Sequence, residues 1–160
     1  MMVQIRRAQP RDADAIAKLS AEAATEEGAI SGLDADRIRA HAFGPNSLFE
    51  AWLAEDRTTR ASVGHAVITK AYDIRRGAPM MTLCELYVTA SARRNGVARL
   101  IMSAIARRAV DIGARELAIT TGVENEVAQR FFAAIGARPQ QAAVFVMSAD
   151  GIQWLATEGL

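Results

Sequence analysis

Residues 83–98, which read LCELYVTASARRNGVA, combine the residue types that bind an anionic ligand. An apolar strand-like run leads into a polar loop that carries Arg93 and Arg94 and reaches Gly96 as a helical pattern begins. The first N–H groups of a helix are unpaired and lie at its positive end, and glycine lets a ligand approach closely. Paired arginines add charge-assisted contacts to phosphate. The segment therefore predicts a site for a phosphate-bearing ligand; a solvated basic turn with a structural glycine is the alternative.

Two common phosphate-binding patterns and a metal site are excluded by the spacing of the residues. Neither GxxxxGK[ST] nor GxGxxG occurs in the chain. The single cysteine, Cys84, and the two histidines, His41 and His65, are far apart in sequence, so no thiolate zinc site is expected. We expect no metal.

The elements that must position this loop follow from hydrophobic periodicity and turn residues. Three consecutive strands predict an antiparallel meander, and the helix after them predicts a crossover to a parallel neighbour. We therefore expect a single α/β domain over residues 1–160, with a mixed, mostly antiparallel central sheet flanked by helices. The predicted strands are 2–8, 49–55, 61–72, 80–89, 116–121 and 143–147. The predicted helices are 13–24 (Asp12 as N-cap), 34–43 (Asp34 as cap), 96–112 (with Val97, Leu100, Ile101, Ala104, Ile105 and Ile112 on its apolar face), 125–135 and 150–156.

Composition narrows the class of protein. Nineteen Lys and Arg against eighteen Asp and Glu give a net charge of +1, which argues against a nucleic-acid binder. No run of about 18 apolar residues or signal-like N-terminus occurs, so we expect no membrane contact. One cysteine allows no internal disulfide, and a cytoplasmic location is the expectation.

The loop also resembles motif A of the GCN5-related N-acetyltransferases (GNAT), whose loop reads Q/R-x-x-G-x-G/A. Arg93, Gly96 and Ala98 occupy those places. The resemblance extends along the chain in the family's order, through IRRAQPRDADAI, VGHAVI and VENEVAQRFFAAIGA. The last segment is similar to the family's pattern N-x-x-A, an aromatic pair and a terminal Gly, which Asn125, Ala128, Phe131, Phe132 and Gly136 fill.

The resemblance implies the acyl-CoA N-acyltransferase fold, with acetyl-CoA as co-substrate and an amine as acceptor. In that family the sheet opens after the strand that here ends at Val88, and the pantetheine arm pairs with its free edge. The residues implied in cofactor binding are Leu86, Tyr87, Val88, Arg93, Arg94, Asn95, Gly96, Val97, Ala98, Arg99, Asn125 and Phe132.

A narrower resemblance, to the spermidine/spermine acetyltransferase branch, rests on FGPNSLFEAWLAE and the tyrosine-containing loop before LCELYV. That branch implies a glutamate base on the strand before the loop, but the aligned place holds Cys84, with Glu85 next to it. Adjacent strand residues point to opposite faces, so Glu85 replaces Cys84 only through a bulge or a register change. Cys84 is either a nucleophile or a small buried hydrophobe, and Glu85 is either the base or a structural ion-pair partner.

The family's usual tyrosine acid corresponds to Phe132, which has no proton to give. Tyr87, Tyr72 or water is then the acid, or the thiolate leaves unassisted; Tyr87 is otherwise a packed aromatic. His65 is either a base near neutral pH or a satisfied sheet histidine. Residues Glu26, Glu27, Asp34 and Asp36 would suit a cationic acceptor, or form a solvated face.

The function expected from this sequence is acetyl transfer to a primary amine of a small molecule, such as a polyamine or an amino acid. A protein N-terminus or lysine is the second acceptor class. A non-catalytic acyl-CoA-binding or sensing module is the rival from another class, and an unrelated nucleotide binder is a third interpretation. The apolar C-terminal strand is compatible with a homodimer.

Overall fold

The structure is a computed structural model that describes residues 1–157. The chain divides into two compact units, Met1–Gly122 and Val123–Leu160. The first unit contains a five-stranded sheet. The strands lie side by side in chain order; neighbours are antiparallel except for the parallel pair β4–β5. The expected mixed, mostly antiparallel sheet is confirmed. The strands are β1 Val3–Arg7, β2 Glu50–Asp56, β3 Ser62–Asp73, β4 Ala78–Val88 and β5 Glu116–Ile119.

Helices cover both faces of this sheet. On one face, α1 (Ala13–Glu26) and α2 (Ala35–His41) share a buried apolar cluster with Ala51 and Leu53 of β2. Trp52, between them, lines a groove on the opposite face together with residues of α3 (Val97–Asp111). The predicted apolar face of α3 is confirmed except for Leu100, which is 46% exposed, and Ile112, which is the half-buried C-cap. No helix within residues 1–157 is long and apolar enough to cross a membrane.

The two predicted helix caps differ in outcome. Asp34 accepts a hydrogen bond from the Arg37 N–H at 2.8 Å, so its cap on α2 is confirmed. Asp12 stands at the N-cap of α1, but its side chain makes no capping bond to that helix. It instead accepts from the Gln9 N–H at 2.7 Å and from the Arg6 guanidinium at 2.7 and 2.8 Å. A strong cationic donor on β1 outcompetes the helix amides for this carboxylate.

The second unit contains α4 (Glu126–Ala134) and α5 (Ala149–Thr157). The strand predicted at 143–147 is wrong, because these residues form no strand in the structure. Val144, Phe145 and Val146 are 83%, 95% and 88% exposed. β-Branched and aromatic residues favour a strand only where a neighbouring strand supplies hydrogen bonds and side-chain contacts, and this segment has none within residues 1–157.

Gly64 on β3 fixes how closely the end of β4 approaches. A Cβ there would lie 2.7 Å from the backbone oxygen of Tyr87 and 3.4 Å from Ile101 Cδ1. We expect Gly64→Ala to lower the free energy of unfolding by about 1–3 kcal/mol, because backbone and core must shift. Urea unfolding measures this loss. Gly32→Ala is the matched control, since no atom lies within 4 Å of its Cβ; equal midpoints for both variants would contradict the prediction.

Candidate active site

The edge of β4 is open over its last residues. β5 pairs with β4 only from Met80 to Leu83. Beyond that point, the Thr89 N–H donates to the Val63 oxygen on β3. Because antiparallel strands alternate their hydrogen-bonding direction, the N–H and C=O groups of Leu86 and Val88 point away from β3, toward the open edge. The geometry thus places the two residues expected to pair with an extended ligand at an edge with available backbone groups, apart from the Val88 oxygen, which accepts from Arg93.

A β-bulge interrupts β4 at Cys84. Val67 of β3 lies opposite Glu85, and the next residue, Ile68, lies opposite Leu83, so Cys84 is the extra residue. Cys84 Sγ lies 3.7 Å from Thr69 Oγ1, a side chain two residues along β3 from Val67 and so on the same face. The bulge therefore brings Cys84 and Glu85 to one face. The expectation of a buried Cys84 is wrong, because this thiol is exposed.

Glu85 lies at the centre of a hydrogen-bonded group that joins β3, β4 and α1. Its Oε2 lies 2.9 Å from His65 Nε2, and the Ser20 hydroxyl donates to Oε1 at 3.1 Å and Oε2 at 3.0 Å. The side chain of Glu85 remains 26% exposed. Burial acts to raise the pKa of Glu85, but the hydrogen bonds from His65 and Ser20 leave that pKa below its usual value. Glu85 is therefore ionised at neutral pH and able to accept a proton.

His65 matches neither sequence interpretation completely. It is fully buried in β3, and its Nε2 is bonded to Glu85. Its Nδ1 is buried and has no hydrogen-bond partner within residues 1–157. The histidine is thus only half satisfied, and it touches the carboxylate expected to act as base.

Tyr87, Glu26 and Arg93 form a second group on the same face as Glu85. The Tyr87 hydroxyl donates to Glu26 Oε1 at 2.9 Å. Arg93 Nη2 donates to Glu26 Oε2 at 2.5 Å, and its Nε donates to the Val88 oxygen at 2.9 Å. Burial of the phenol, followed by the bond to Glu26, raises the pKa of Tyr87 to about 12. Arg93 therefore ties the loop to α1 and to the end of β4, and the Tyr87 proton is firmly held.

The loop between β4 and α3 exposes a run of backbone donors. Within residues 1–157, the N–H groups of residues 94–99 donate to no acceptor of the protein. Arg94 and Gly96 adopt left-handed backbone conformations, with φ of 61° and 75°, and a Cβ at Gly96 would meet no atom within 4 Å. Asn95 braces the loop by donating to the Arg93 oxygen at 3.0 Å. Arg99 and Arg94 are exposed, whereas Val97 is buried and Ala98 is partly buried.

The remaining cofactor candidates lie in the second unit. Asn125 is the N-cap of α4, and its Oδ1 accepts from the Ala128 N–H at 3.0 Å. Phe132 contacts Phe131 edge-to-face, with ring centroids 5.3 Å apart. The structure thus gives Asn125 a helix-capping role within its own unit.

Three candidates from the sequence lie away from Glu85. Tyr72 pairs with Pro79 at the far end of β4 and is 57% exposed. Asp34 and Asp36 form ion pairs with arginines of their own helix. Ser20, by contrast, contacts Glu85 but was not predicted as a site residue. Nothing in the sequence around Ser20 indicates that it meets a residue 65 positions further along the chain. Within residues 1–157, no group of three or more His, Cys, Asp or Glu could hold a metal ion.

Comparison with known proteins gives a family and a fold. The acetyltransferase (GNAT) family matches residues 13–137. No protein of curated function matches the chain by sequence. An integron cassette protein from the mobile metagenome of V. cholerae is similar in structure, with 22% identity, a TM-score of 0.82 and 99% of both chains covered.

Two further solved structures share this fold at low identity. The ribosomal-protein-alanine N-acetyltransferase from Brucella melitensis biovar Abortus is 18% identical, covering 92% of this chain and 100% of its own, with a TM-score of 0.75. An aminoglycoside acetyltransferase from an uncultured soil metagenomic sample is 17% identical, covering 91% and 95%, with a TM-score of 0.76.

Titration of Tyr87 tests the second group directly. In a Tyr72→Phe background Tyr87 is the only tyrosine, and we expect its phenolate absorbance to rise with a midpoint of about 12. Adding Glu26→Gln should lower that midpoint, because the negative charge facing the phenolate is removed. Absorbance is read immediately after a pH jump, before the protein unfolds. Glu27→Gln, an exposed neighbour, is the control, and equal midpoints for the two variants would refute the Tyr87–Glu26 bond.

Proposed function

This chain belongs to the acetyltransferase (GNAT) family and is an N-acetyltransferase, and we propose that it moves the acetyl group of acetyl-CoA directly to a primary amine of a small molecule. We propose Glu85 as the general base. The observation that carries this is the bulge at Cys84, which presents a partly exposed, ionised carboxylate beside the open edge of β4. A base and a free strand edge in one place are what direct acetyl transfer requires.

The residues at the edge and in the loop fit the two parts of acetyl-CoA. Leu86 offers a backbone N–H and C=O to the amide groups of the pantetheine arm, and Val88 offers its N–H, since its oxygen already accepts from Arg93. The free N–H groups of residues 94–99 suit the pyrophosphate, with the side chains of Arg94 and Arg99 adding positive charge. Arg93 shapes the loop instead of contacting phosphate. Acetyl-CoA supplies an activated thioester carbonyl.

Glu85 would make the acceptor nucleophilic. An alkylamine is mostly protonated at neutral pH, so a proton must leave nitrogen before attack. We place that proton on the Glu85 carboxylate, directly or through one water. The amine nitrogen then bonds to the carbonyl carbon and gives up its second proton to water, the C–S bond breaks, and the neutral amide product and the CoA thiolate separate.

The thiolate leaves without a tyrosine acid. Phe132 stands at the family's tyrosine position and has no proton to give. Burial and the bond to Glu26 raise the pKa of Tyr87 to about 12, and its hydroxyl proton is already donated to Glu26. We therefore assign Tyr87 to holding Glu26 and Arg93, and we propose that the thiolate takes up, through water, the second proton that the amine nitrogen releases.

A cationic acceptor fits the charges on this face. Glu22 and Glu26 lie within hydrogen-bond distance of the Tyr87 hydroxyl, and Glu85 is on the same face. The α1 C-terminus that carries them is also the negative end of the helix dipole. With Glu26 paired to Arg93, the remaining acidic charge suits an acceptor that carries positive charge beyond the reacting amine, such as a polyamine or an aminated sugar. A cytoplasmic location and a homodimer belong to the same proposal.

Phe132 favours one second function, a module that binds acyl-CoA without transferring the acyl group. Such a protein would keep the open edge and the loop, and the Glu85 group would be structural. It would bind acetyl-CoA and acetylate no amine.

Mass-spectrometric detection of acetylated product separates these functions. Purified protein and acetyl-CoA are incubated with polyamines, amino acids, aminoglycosides and short peptides at pH 7 and 9. We expect a small-amine product, and Glu85→Gln should reduce its rate by roughly 10²–10⁴-fold while acetyl-CoA binding persists. Asp111→Asn, on exposed α3 surface, is the control. Binding with no product would favour the second function; peptide-only products would exclude the small-amine acceptor.

The loop makes a separate prediction about co-substrate affinity. The double variant Arg94→Gln/Arg99→Gln should weaken acetyl-CoA binding by roughly tenfold, about 1.4 kcal/mol, because two cations near the pyrophosphate are lost. The difference should shrink as salt rises. Titration calorimetry at two ionic strengths measures both effects. Arg107→Gln, an exposed arginine further along α3, should bind as the native protein does; an equal loss there would mean that the loop arginines contribute only net charge.

A further inference from the structure

The two ring nitrogens of His65 differ in their hydrogen bonding. The ring is fully buried on β3, opposite Leu53 on one side and Tyr87 on the other. Nε2 lies 2.9 Å from Glu85 Oε2, whereas Nδ1 is buried with no partner within residues 1–157. A functional carboxylate is therefore in contact with a histidine whose ring makes a single hydrogen bond to the described part of the chain.

The bare Nδ1 decides the protonation state of this ring. In an imidazolium both nitrogens carry protons, and a buried Nδ1–H without an acceptor would lose its hydrogen bond to water with no replacement. In the neutral ring with its proton on Nε2, Nδ1 presents only a lone pair, and the one donor meets the carboxylate. The contact is then a hydrogen bond from a neutral ring, and not the ion pair that a charged histidine would form.

The surrounding groups are mostly acidic. From α1, Glu22 and Glu26 face the same side of the sheet, and from β4 the Tyr87 phenol and the Cys84 thiol do so. The cations beside these groups are already paired, Arg93 with Glu26 and Lys18 with Glu22. Ionised Glu85 therefore depends on its own donors, His65 and Ser20.

We propose that His65 is a positioning residue for the base Glu85: as a neutral donor through Nε2 it fixes the carboxylate so that Oε1 is available to the amine. The inference rests on the proposed function. Ser20 contacts both carboxylate oxygens and so does not by itself select one. The bond from His65 is to Oε2 alone, which gives the side chain its orientation.

Nitrogen NMR of the native protein is the first arm of the test and needs no substrate. The chain has two histidines, and His41, exposed on α2, is the internal reference. We expect His65 to show a protonated Nε2 and a bare Nδ1 at neutral pH, and Glu85→Gln to shift the Nε2–H resonance. Protonation of both ring nitrogens in the native protein would overturn the proposal.

Two substitutions at His65 are the second arm. The amide nitrogen of His65→Gln can take the place of Nε2, whereas His65→Leu removes the donor. We expect His65→Leu to lower kcat by roughly tenfold or more, to leave KM for acetyl-CoA unchanged, and to move the acid limb of the kcat–pH profile to higher pH. That limb moves because the pKa of Glu85 rises when a donor is lost and burial remains. His65→Gln should lie nearer the native profile, and His41→Gln should match it.

The outcomes separate this inference from the proposed function. An unmoved acid limb in His65→Leu, or an equal loss in His65→Gln, would overturn the positioning role even in an active enzyme. If His65→Leu does not fold, His65→Gln and the NMR measurement decide. A bare Nδ1 in the native protein, together with a native-like kcat–pH profile in His65→Gln, supports the positioning role. A neutral His65 in native protein that acetylates no amine would leave the hydrogen bond, but would remove the proposed function and the positioning role with it.

Discussion

The early end of β5 is the constraint on which the rest of the site depends. β5 pairs with β4 as far as Leu83 and no further, so the last residues of β4 keep backbone donors and acceptors at an open edge. The bulge at Cys84 begins at the same point. One residue of extra chain there turns Glu85 toward α1 and toward the edge together. A regular strand would have placed Glu85 and Cys84 on opposite faces of the sheet.

Helix α1 connects the parts of the site by polar contacts across the sheet face. Ser20 reaches Glu85, and Glu26 reaches both Tyr87 and Arg93. The buried hydroxyls of Ser20 and Tyr87 need partners, so these bonds fix α1 against β4 more specifically than apolar packing alone would. These contacts also give the residues of the loop between β4 and α3 two different roles. Arg93 is held by the protein, and the backbone N–H groups after it remain available to a ligand.

Local patterns in the sequence predicted much of this molecule. The strands and helices of the first unit have the periodicity and turn residues that were expected, and the loop before α3 has the free N–H groups and positive-φ glycine of an anion site. The family also follows from sequence, because the loop residues and their order along the chain carry it. Such features depend on residues close together in the chain, where propensity and spacing act directly.

Features that depend on residues far apart in the chain could not be predicted from local sequence patterns. The strand expected at 143–147 does not form, because no neighbouring strand among residues 1–157 completes it. Cys84 is exposed, and the bond of Glu85 to Ser20 spans 65 positions of sequence. The half-satisfied ring of His65 likewise required the packing of β3 against β4 and α1. Sequence by itself determined the elements and the anion-binding loop, since these are local; the tertiary structure decided which carboxylate stands at the open edge, because a single bulge sets the face of every residue that follows it.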